Sequence, residues 1–554
     1  MRVEGTQHPW RKRLSQLETE RSEYESQWRE IGENIAPGHL RLDTSDYNDG
    51  QKKHQKIKDE TVLRAKNVFV AGFVSGMTSP SRPWFKLVTP EMGLDQSHGV
   101  RVWLDEVERM MQLVFSRSNF YQAIARIYHD MGTFGTGAMT VLESRDTVAW
   151  FYPHPVGTYF VAQNEQGIVN TIYRETTRTV AQLVETFGLE NVSDAVKTMY
   201  NNNALEARVE VYNAIEPNDD RASNKIDFGN MPYRSVWWEC GKGSANNEYL
   251  GMRGFQEFPS VCGRWFATSL DDYGVDCPGM TSLAGVKQLN FEQLRKAQAI
   301  DKMVNPPVQA PSSLKRGNQI NMLPGGVTYY DEASPNGGLR PLYETNPYIE
   351  PLLSSMDEVR GRIYESWFVD MFLMISQEDD VRTATEVAMR NEEKLLVLGP
   401  VLTRIQTEVL DPIIDRVFNI MLRNGILPPP PPELEGVELR VEYISMLAQA
   451  QQSVGASSIE RLVNTAMTMA QGGFPNALDK VDEDAVIEEY GGILGVNSRL
   501  MRSPEAVDAM RQARAQQMQA EQMVQNAQGM AKAAKDMSGA DTGPESPLAR
   551  LTGG

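Results

Sequence analysis

Cysteine is scarce: 554 residues carry three, Cys240, Cys262 and Cys277. An odd number without CxxC spacing argues against a disulfide framework and a zinc site, and suits a reducing cytosol. Long apolar runs are missing too. The longest, Val68 to Val74 followed by Gly76 and Met77, falls far short of the roughly 18 residues of a membrane span, and the polar, Arg-bearing start is no signal peptide. The expectation is a soluble chain without a membrane partner. Histidines number six, at positions 8, 39, 54, 98, 129 and 154, with no HExxH and no His/Cys pair. No phosphate loop occurs either: Cys240-Gly241-Lys242-Gly243-Ser244 lacks the earlier glycine and puts Gly where Ser or Thr must follow Lys. An ATP motor is not expected, and no cofactor or metal is called for.

A basic surplus is also lacking. The net charge is −18, which excludes a nucleic-acid clamp of the usual basic kind and leaves only local or weak contact with DNA. The charge is uneven, basic near Arg11 to Arg13 and Lys52 to Lys66 and acidic over Glu433 to Glu442 and Asp479 to Glu489. Different regions should therefore meet different surroundings.

What is present is architecture. The length suits roughly three or four domains with real cores. Leu17, Tyr24, Trp28, Ile31 and Ile35 predict an amphipathic helix stopped by Pro37-Gly38, and Lys56 to Val74 a second that breaks at Ser75 to Pro80. Further helices are expected over Val102 to Phe115 and Phe120 to Phe134. From Gly137 to Phe266 the text changes to β-branched and aromatic runs punctuated by Gly and Pro: Ala138 to Leu142, Val148 to Tyr152, Tyr159 to Ala162, Ile168 to Thr176, Arg208 to Ile215, Arg234 to Cys240 and Val261 to Phe266. The fold class is α+β, antiparallel, with a helix near Val180 to Phe187. Leu283 to Val304 and Pro351 to Met371 then mark two helices that flank a Gly/Pro-rich insert, Val308 to Pro347: a stalk with a small cap. A polar loop, Ser376, Gln377, Glu378, Asp379 and Asp380, follows. An i, i+4 ladder, Val401, Ile405, Val409, Ile413, Val417 and Met421, writes one long helix over Arg382 to Met421. Pro400 after Gly399 and Pro412 after Asp411 each remove a donor and crowd the preceding turn, so a kink is expected at one of them, with Gly399-Pro400 taken as its site. Past the Pro428 to Pro432 spacer, helices are expected at Ser445 to Val454, Ser458 to Gln471 and Glu483 to Tyr490. The Pro504 to Met537 tail has too little apolar area to stand alone, and Ser538 to Gly554 reads as disordered.

Several groups invite a chemical reading and have a plainer one. Gly132 to Gly137 follows a helix rather than a strand, which suits a helix stop and not a dinucleotide loop. Pro153-His154-Pro155 reads as a rigid strand-end turn. Glu378-Asp379-Asp380 has the carboxylates a hard cation wants but no partnering base, which favours a solvated loop. Trp237-Trp238 and Trp84-Phe85 could stack bases, yet both lie in apolar strand contexts that favour core packing. Lys287, Arg295, Lys296 and Lys302 on the first stalk helix, with Lys315 and Arg316 in the cap, either touch phosphate backbones, which needs charge and no base reading, or pair with acidic neighbours across a subunit interface. The residues leave both open.

Four strings carry a resemblance. Ser75-Gly76-Met77-Thr78-Ser79-Pro80 with Pro83-Trp84-Phe85, Arg382-Thr383-Ala384-Thr385-Glu386-Val387, Leu398-Gly399-Pro400-Val401-Leu402, and Tyr443-Ile444-Ser445-Met446-Leu447-Ala448-Gln449-Ala450-Gln451 resemble the head-to-tail connecting (portal) proteins of short-tailed bacteriophages, in the same order over roughly residues 10 to 500. The last string departs from the family's at Met446, where the family has Pro. The resemblance implies a dodecameric ring at one capsid vertex, the head–tail junction of a virion assembled in the host cytoplasm, with a channel through which double-stranded DNA is packaged and ejected. It implies terminase, tail adaptor, capsid and scaffold proteins as partners, and no catalysis. The implied parts are N-terminal helices and an α+β wing over 1–280, stem helices over 281–304 and 348–370, a clip over 305–347 and a tunnel loop over 371–381. The kinked helix over 382–430 completes the wing, a crown spans 431–503, a C-terminal helix able to form a barrel spans 504–537, and a tail ends the chain. In that picture Glu378, Asp379 and Asp380 face the bore, and Lys287, Arg295, Lys302, Lys315 or Arg316 give transient phosphate contacts. The competing readings are another neck or tail ring component, against which the stem-clip-stem order argues, and a packaging ATPase or nuclease, against which the missing phosphate loop argues.

Overall fold

The computed structural model describes residues 9–42, 54–89, 98–222, 227–239, 249–304, 349–376, 398–434 and 439–445, with short pieces elsewhere, among them 308–309, 340–341, 465–469, 509–514 and 516–520. It divides into one compact unit of residues 1–95 and 99–465 and a second of residues 96–98 and 466–554. In the first, helices α1 (Pro9–Asn34) and α2 (Thr61–Met77) precede strand β1 (Phe85–Val88) and helices α3 (His98–Arg117) and α4 (Phe120–Phe134). Strands β2 (Thr136–Ser144), β3 (Val148–His154), β4 (Tyr159–Gln163) and β5 (Val169–Thr179) come next, then the short helices α5 (Val180–Phe187) and α6 (Asp194–Asn201). Strands β6 (Arg208–Pro217), β7 (Tyr233–Glu239), β8 (Gly251–Phe255) and β9 (Ser260–Arg264) complete the sheets.

β4 to β8 form an antiparallel meander in chain order, and β2 sits between β3 and β9 in a three-stranded sheet. Gly167 holds a positive φ in the short turn that pairs β4 with β5, and Gly157 holds one where the chain passes from β3 in one sheet to β4 in the other, a conformation in which L side chains are strained. α4 ends on Gly135, left-handed at φ 84, whose N–H reaches back to the Met131 carbonyl, so the glycine run is a helix stop. α5 is held by a capping box in which Thr179 and Gln182 exchange bonds.

The first unit then runs through α7 (Pro278–Val304), a two-residue ladder of β10 (Val308–Gln309) with β11 (Arg340–Pro341), α8 (Glu350–Ser366) and α9 (Val369–Ser376). α7 and α8 pack on each other. The second stalk helix, expected unbroken to Met371, stops at Ser366. Phe368 takes φ 53 because Trp367 turns inward, fully buried, and donates its indole N–H to Ser282 Oγ at 3.0 Å. Met371 and Phe372, expected at the start of a loop, are buried residues of α9.

α2 explains the apolar run. Phe69 and Phe73 lie 4.8 Å from each other and meet Trp265, Trp367 and Phe372 edge-on or tilted at 5.2 to 5.8 Å, which suits the aromatic quadrupoles. The helix also continues through Ser75 and Gly76 rather than breaking there. Gly72 and Gly76 are contact points: a Cβ on Gly72 would meet the Phe372 ring at 2.1 Å, and one on Gly76 would meet Leu447 at 2.8 Å.

The ladder helix is described from residue 398 onward as α10 (residues 398–405), a π-turn (Gln406–Leu410) and α11 (Asp411–Arg423). Gly399 and Pro400 fall in the first turn of that stretch, and the approach to them lies outside the described residues. The departure from α geometry that is described precedes Pro412. Proline has no N–H for the carbonyl of residue 408, and its ring crowds that turn. Widening to i→i+5, with the Asp411 N–H on the Gln406 carbonyl, relieves the clash. Strand β12 (Arg440–Tyr443) returns to pair with β1 in the register Phe85↔Tyr443. In the second unit, residues 509–514 and 516–520 are helical and exposed, within the span expected for the tail helix.

Candidate functional site

α7 is buried over its first half by Leu283, Val286 and Leu289. Asn290 closes that half: its Oδ1 accepts the backbone N–H groups of Lys58 and Asp59 at 2.7 and 3.0 Å. Asp59 in turn holds Arg360 of α8 at 2.7 Å, so the run into α2 is tied to both stalk helices. Beyond Asn290 the helix comes free of the core. Phe291, Leu294, Ile300, Met303 and Val304 are exposed, Val304 at 72%. At about 3.6 residues per turn, Phe291 and Ile300 lie on opposite sides of the helix, with Leu294, Met303 and Val304 spread between them.

The basic residues singled out on this helix do not act as a set. Lys287 pairs with Glu30 of α1. Arg295 lies 4.9 Å over the Phe291 ring and donates to Gln298 at 3.1 Å. Lys302 is exposed in the last turn, where the helix dipole favours a cation. Lys315 and Arg316 lie outside the described residues, as do Gln377, Glu378, Asp379 and Asp380; Ser376 is the last residue of α9. Trp84 and Phe85 are buried against Phe115 and Phe120, and Trp238 is buried against Tyr173 and Tyr212. Core packing therefore holds for Trp84, Phe85 and Trp238. His154 ends β3, buried, with Nε2 on Thr140 Oγ1 at 2.8 Å.

Two polar constellations escaped the sequence because their members are far apart in it. In the first, Arg264 of β9 is 3% exposed and Glu408 of the π-turn receives it three times: from the backbone N–H at 2.9 Å, from Nε at 3.3 Å and from Nη2 at 2.8 Å. Arg404 adds a fourth bond at 3.1 Å. The Arg264 guanidinium also donates to the Gly167 and Asp271 carbonyls and to Gln163 Oε1. It joins both sheets to the ladder helix, and Gly263 lets Val409 and Met131 close over the junction.

The second brings His39, His129 and Asp130 together with ligand atoms within 4.8 Å of one another. Among the described residues this group has the donor set for a metal, yet a cation is already there. Arg126 donates to Asp130 Oδ2 at 2.8 Å and lies 2.7 Å from His39 Nδ1, and Lys66 reaches the Ile35 carbonyl beside it. Burial lowers both histidines, His39 to about 3 with help from His129 and Arg126, so the rings, stacked at 4.3 Å, are neutral. The arrangement is a buried strut between the residues after α1 and α4. Cys262 and Cys277 are buried thiols pushed up to about 12 by burial, which removes nucleophilic character. Among the described residues no helix is long and apolar enough to cross a membrane.

Among the described residues these contacts build a scaffold in which the second half of α7 leaves apolar side chains exposed. The family model "Bacteriophage head to tail connecting protein" matches residues 7–501. The portal protein of Salmonella phage epsilon15 is 43% identical over 541 residues, covering 98% of this chain and 97% of that one. The probable portal protein of Bordetella phage BPP-1 is 42% identical with the same coverage. A solved structure, the virion of the native gene transfer agent particle, aligns with 79% of this chain and 91% of its own at a TM-score of 0.34 and 11% identity, a likeness too slight to inform the fold. With the family matched over most of its length and two relatives above 40% identity end to end, this chain belongs to the bacteriophage head-to-tail connecting, or portal, proteins.

Proposed function

We propose that copies of this chain close into a ring of twelve at a capsid vertex and that the ring conducts double-stranded DNA during packaging and ejection, with terminase and tail adaptors docking on it in turn. The observation that carries the reading is the second half of α7. Apolar side chains on opposite sides of one helix are what a head-to-tail ring needs, because each copy is covered by two neighbours through two different surfaces. In this reading α7 and α8 are the stem, residues 305–347 the clip, residues 371–381 the tunnel region, residues 382–430 the helix completing the wing, and residues beyond 431 the crown and C-terminal helix.

The charge of −18 fits a conduit. Counterion release would trap a polyanion in a strongly basic bore, whereas an acidic wall with sparse cations lets it slide. Glu378, Asp379 and Asp380 are assigned to the bore as weak repellers, and Lys302 and Arg295, with Lys315 and Arg316, to passing phosphate contacts. Lys287, engaged with Glu30, is the least available of the set. The chain supplies no catalytic step of its own in this scheme; scaffold and capsid proteins place the ring, and assembly takes place in the host cytoplasm.

Electron microscopy of the purified full chain tests the proposal. Rings of about twelve copies with a channel wide enough for duplex DNA are expected. Closed particles without a channel, with or without scaffold protein present, would sink it.

A further inference from the structure

Between β3 and β5 lies a cleft enclosing about 540 Å³, a volume in the range of small-ligand sites. Its floor is cationic. Arg174 and Arg178 stand two pleats apart on the same face of β5, and Arg41, from the chain after α1, reaches the same cleft. The Arg174 and Arg178 guanidinium carbons lie 5.1 and 4.6 Å from the centroid of the Trp237 ring, which places the two cations within about 10 Å of each other across one indole.

Both are held by neutral partners. Arg174 donates Nε to Asn213 Oδ1 at 2.8 Å, and Arg178 donates Nη1 to Thr186 Oγ1 at 3.2 Å. No ion pair within 4.0 Å involves either of them, or Arg41, among the described residues, although Glu175 and Glu185 also line the cleft. Burial and the charge of Arg178 pull Arg174 down to about 10. Two like charges gathered in a partly desolvated cleft, neither paired directly with a carboxylate among the described residues, are an arrangement that a bound anion relieves. The Nη groups of Arg174 and Nη2 of Arg178 remain to offer donors in the planar geometry that fits a phosphate or a carboxylate.

We propose that this cleft is an oxyanion site, in which the phosphate or carboxylate of a ligand is held between Arg174 and Arg178, with Arg41 at its mouth. The two oxyanion sources are an inorganic or nucleotide phosphate and the acidic side chains of a polypeptide, of which this chain has many.

The test is calorimetric titration of the purified full chain in a low-chloride buffer, with inorganic phosphate in one arm and citrate in the other, repeated on R178Q and R41Q. R178Q gives up one neutral bond at a partly exposed position, so its fold is expected to survive, and circular dichroism checks this. Saturable binding of either probe that weakens about tenfold or more in R178Q, the worth of one charge-assisted bond, is expected. Binding of phosphate alone would identify a phosphate ligand, and of citrate alone a carboxylate ligand. Absence of binding in both arms up to millimolar concentration, or equal affinity in wild type, R178Q and R41Q, would overturn the assignment.

Discussion

Replacing Glu408 with Ala is expected to loosen the junction between the two sheets and the ladder helix more than any surface change could. Arg264 is 3% exposed and would be left with its charge buried, holding only the Gly167 and Asp271 carbonyls and Gln163. Breaking a buried pair in this way costs about 3–5 kcal/mol, most of it the stranded charge rather than the lost bond. Arg264→Met removes the charge as well, so the double variant Arg264→Met/Glu408→Ala should recover part of the loss, with a coupling of about 2–3 kcal/mol. Because the chain holds two compact units, global unfolding is not a clean two-state reading. Amide exchange at β9 and at residues 406–410 is the better assay. A local loss of 3 kcal/mol accelerates exchange by about two orders of magnitude. Additive single variants, or exchange in Glu408→Ala within about threefold of wild type, would show that the Arg264–Glu408 pair is not what joins these elements.

Gly72→Ala should destabilise by about 1–3 kcal/mol through overpacking, since its Cβ would fall 2.1 Å from the Phe372 ring; chemical denaturation of wild type and variant decides it. His39 in the fold titrates near 3, far below the unfolded value. Stability is therefore fully present above about pH 6.5 and lost as pH falls toward 3, with a slope of at most ~1.4 kcal/mol per pH unit before discounting for its partial exposure. His39→Gln should flatten that slope in thermal melts between pH 7.5 and 4.5. Ile300→Asp with Val304→Asp should leave circular dichroism unchanged and reduce ring formation in mass photometry, because both residues are exposed in the single chain. Reversing the charge of Glu378, Asp379 and Asp380 should slow DNA passage and alter retention in a packaging assay; unchanged packaging removes those residues from the bore.

In the meander β8 (Gly251–Phe255), with two glycines and an arginine in five residues, carries no strand signal. The other four strands, β4 to β7, were legible because they show β-branched and aromatic runs bounded by turn residues, as in Arg208 to Pro217. The stop of α4 at Gly135 was legible for the same local reason. What stayed hidden depends on residues distant in sequence. β1 and β12 are four residues each and lie roughly 350 residues apart, and nothing in either segment names the other. The π-turn before Pro412 rests on a clash that proline announces, but sequence alone does not choose between Pro400 and Pro412. The break at Phe368 has no signal at all: its cause is Trp367 finding Ser282 across the stalk. The basic residues of α7 matched phosphate-contact chemistry by type, while their neighbours, Glu30 and Phe291, give Lys287 and Arg295 nearer employment.

The pairing of Phe85–Val88 with Arg440–Tyr443 and the seat of Phe372 on Gly72 also set a schedule for synthesis. α2 is made early; one part of its apolar surface meets α4, some tens of residues downstream, but the part that meets α9 waits for residues roughly 300 positions later. At translation rates of about 5–20 residues per second those partners arrive on the order of tens of seconds later. Through that interval Phe69 and Phe73 have no native cover from α9, and the growing chain carries a sticky segment on the ribosome. The meander between β4 and β8 is assembled from neighbouring strands and is free to form meanwhile. α2 is thus covered in two stages, by α4 early in synthesis and by α9 only late.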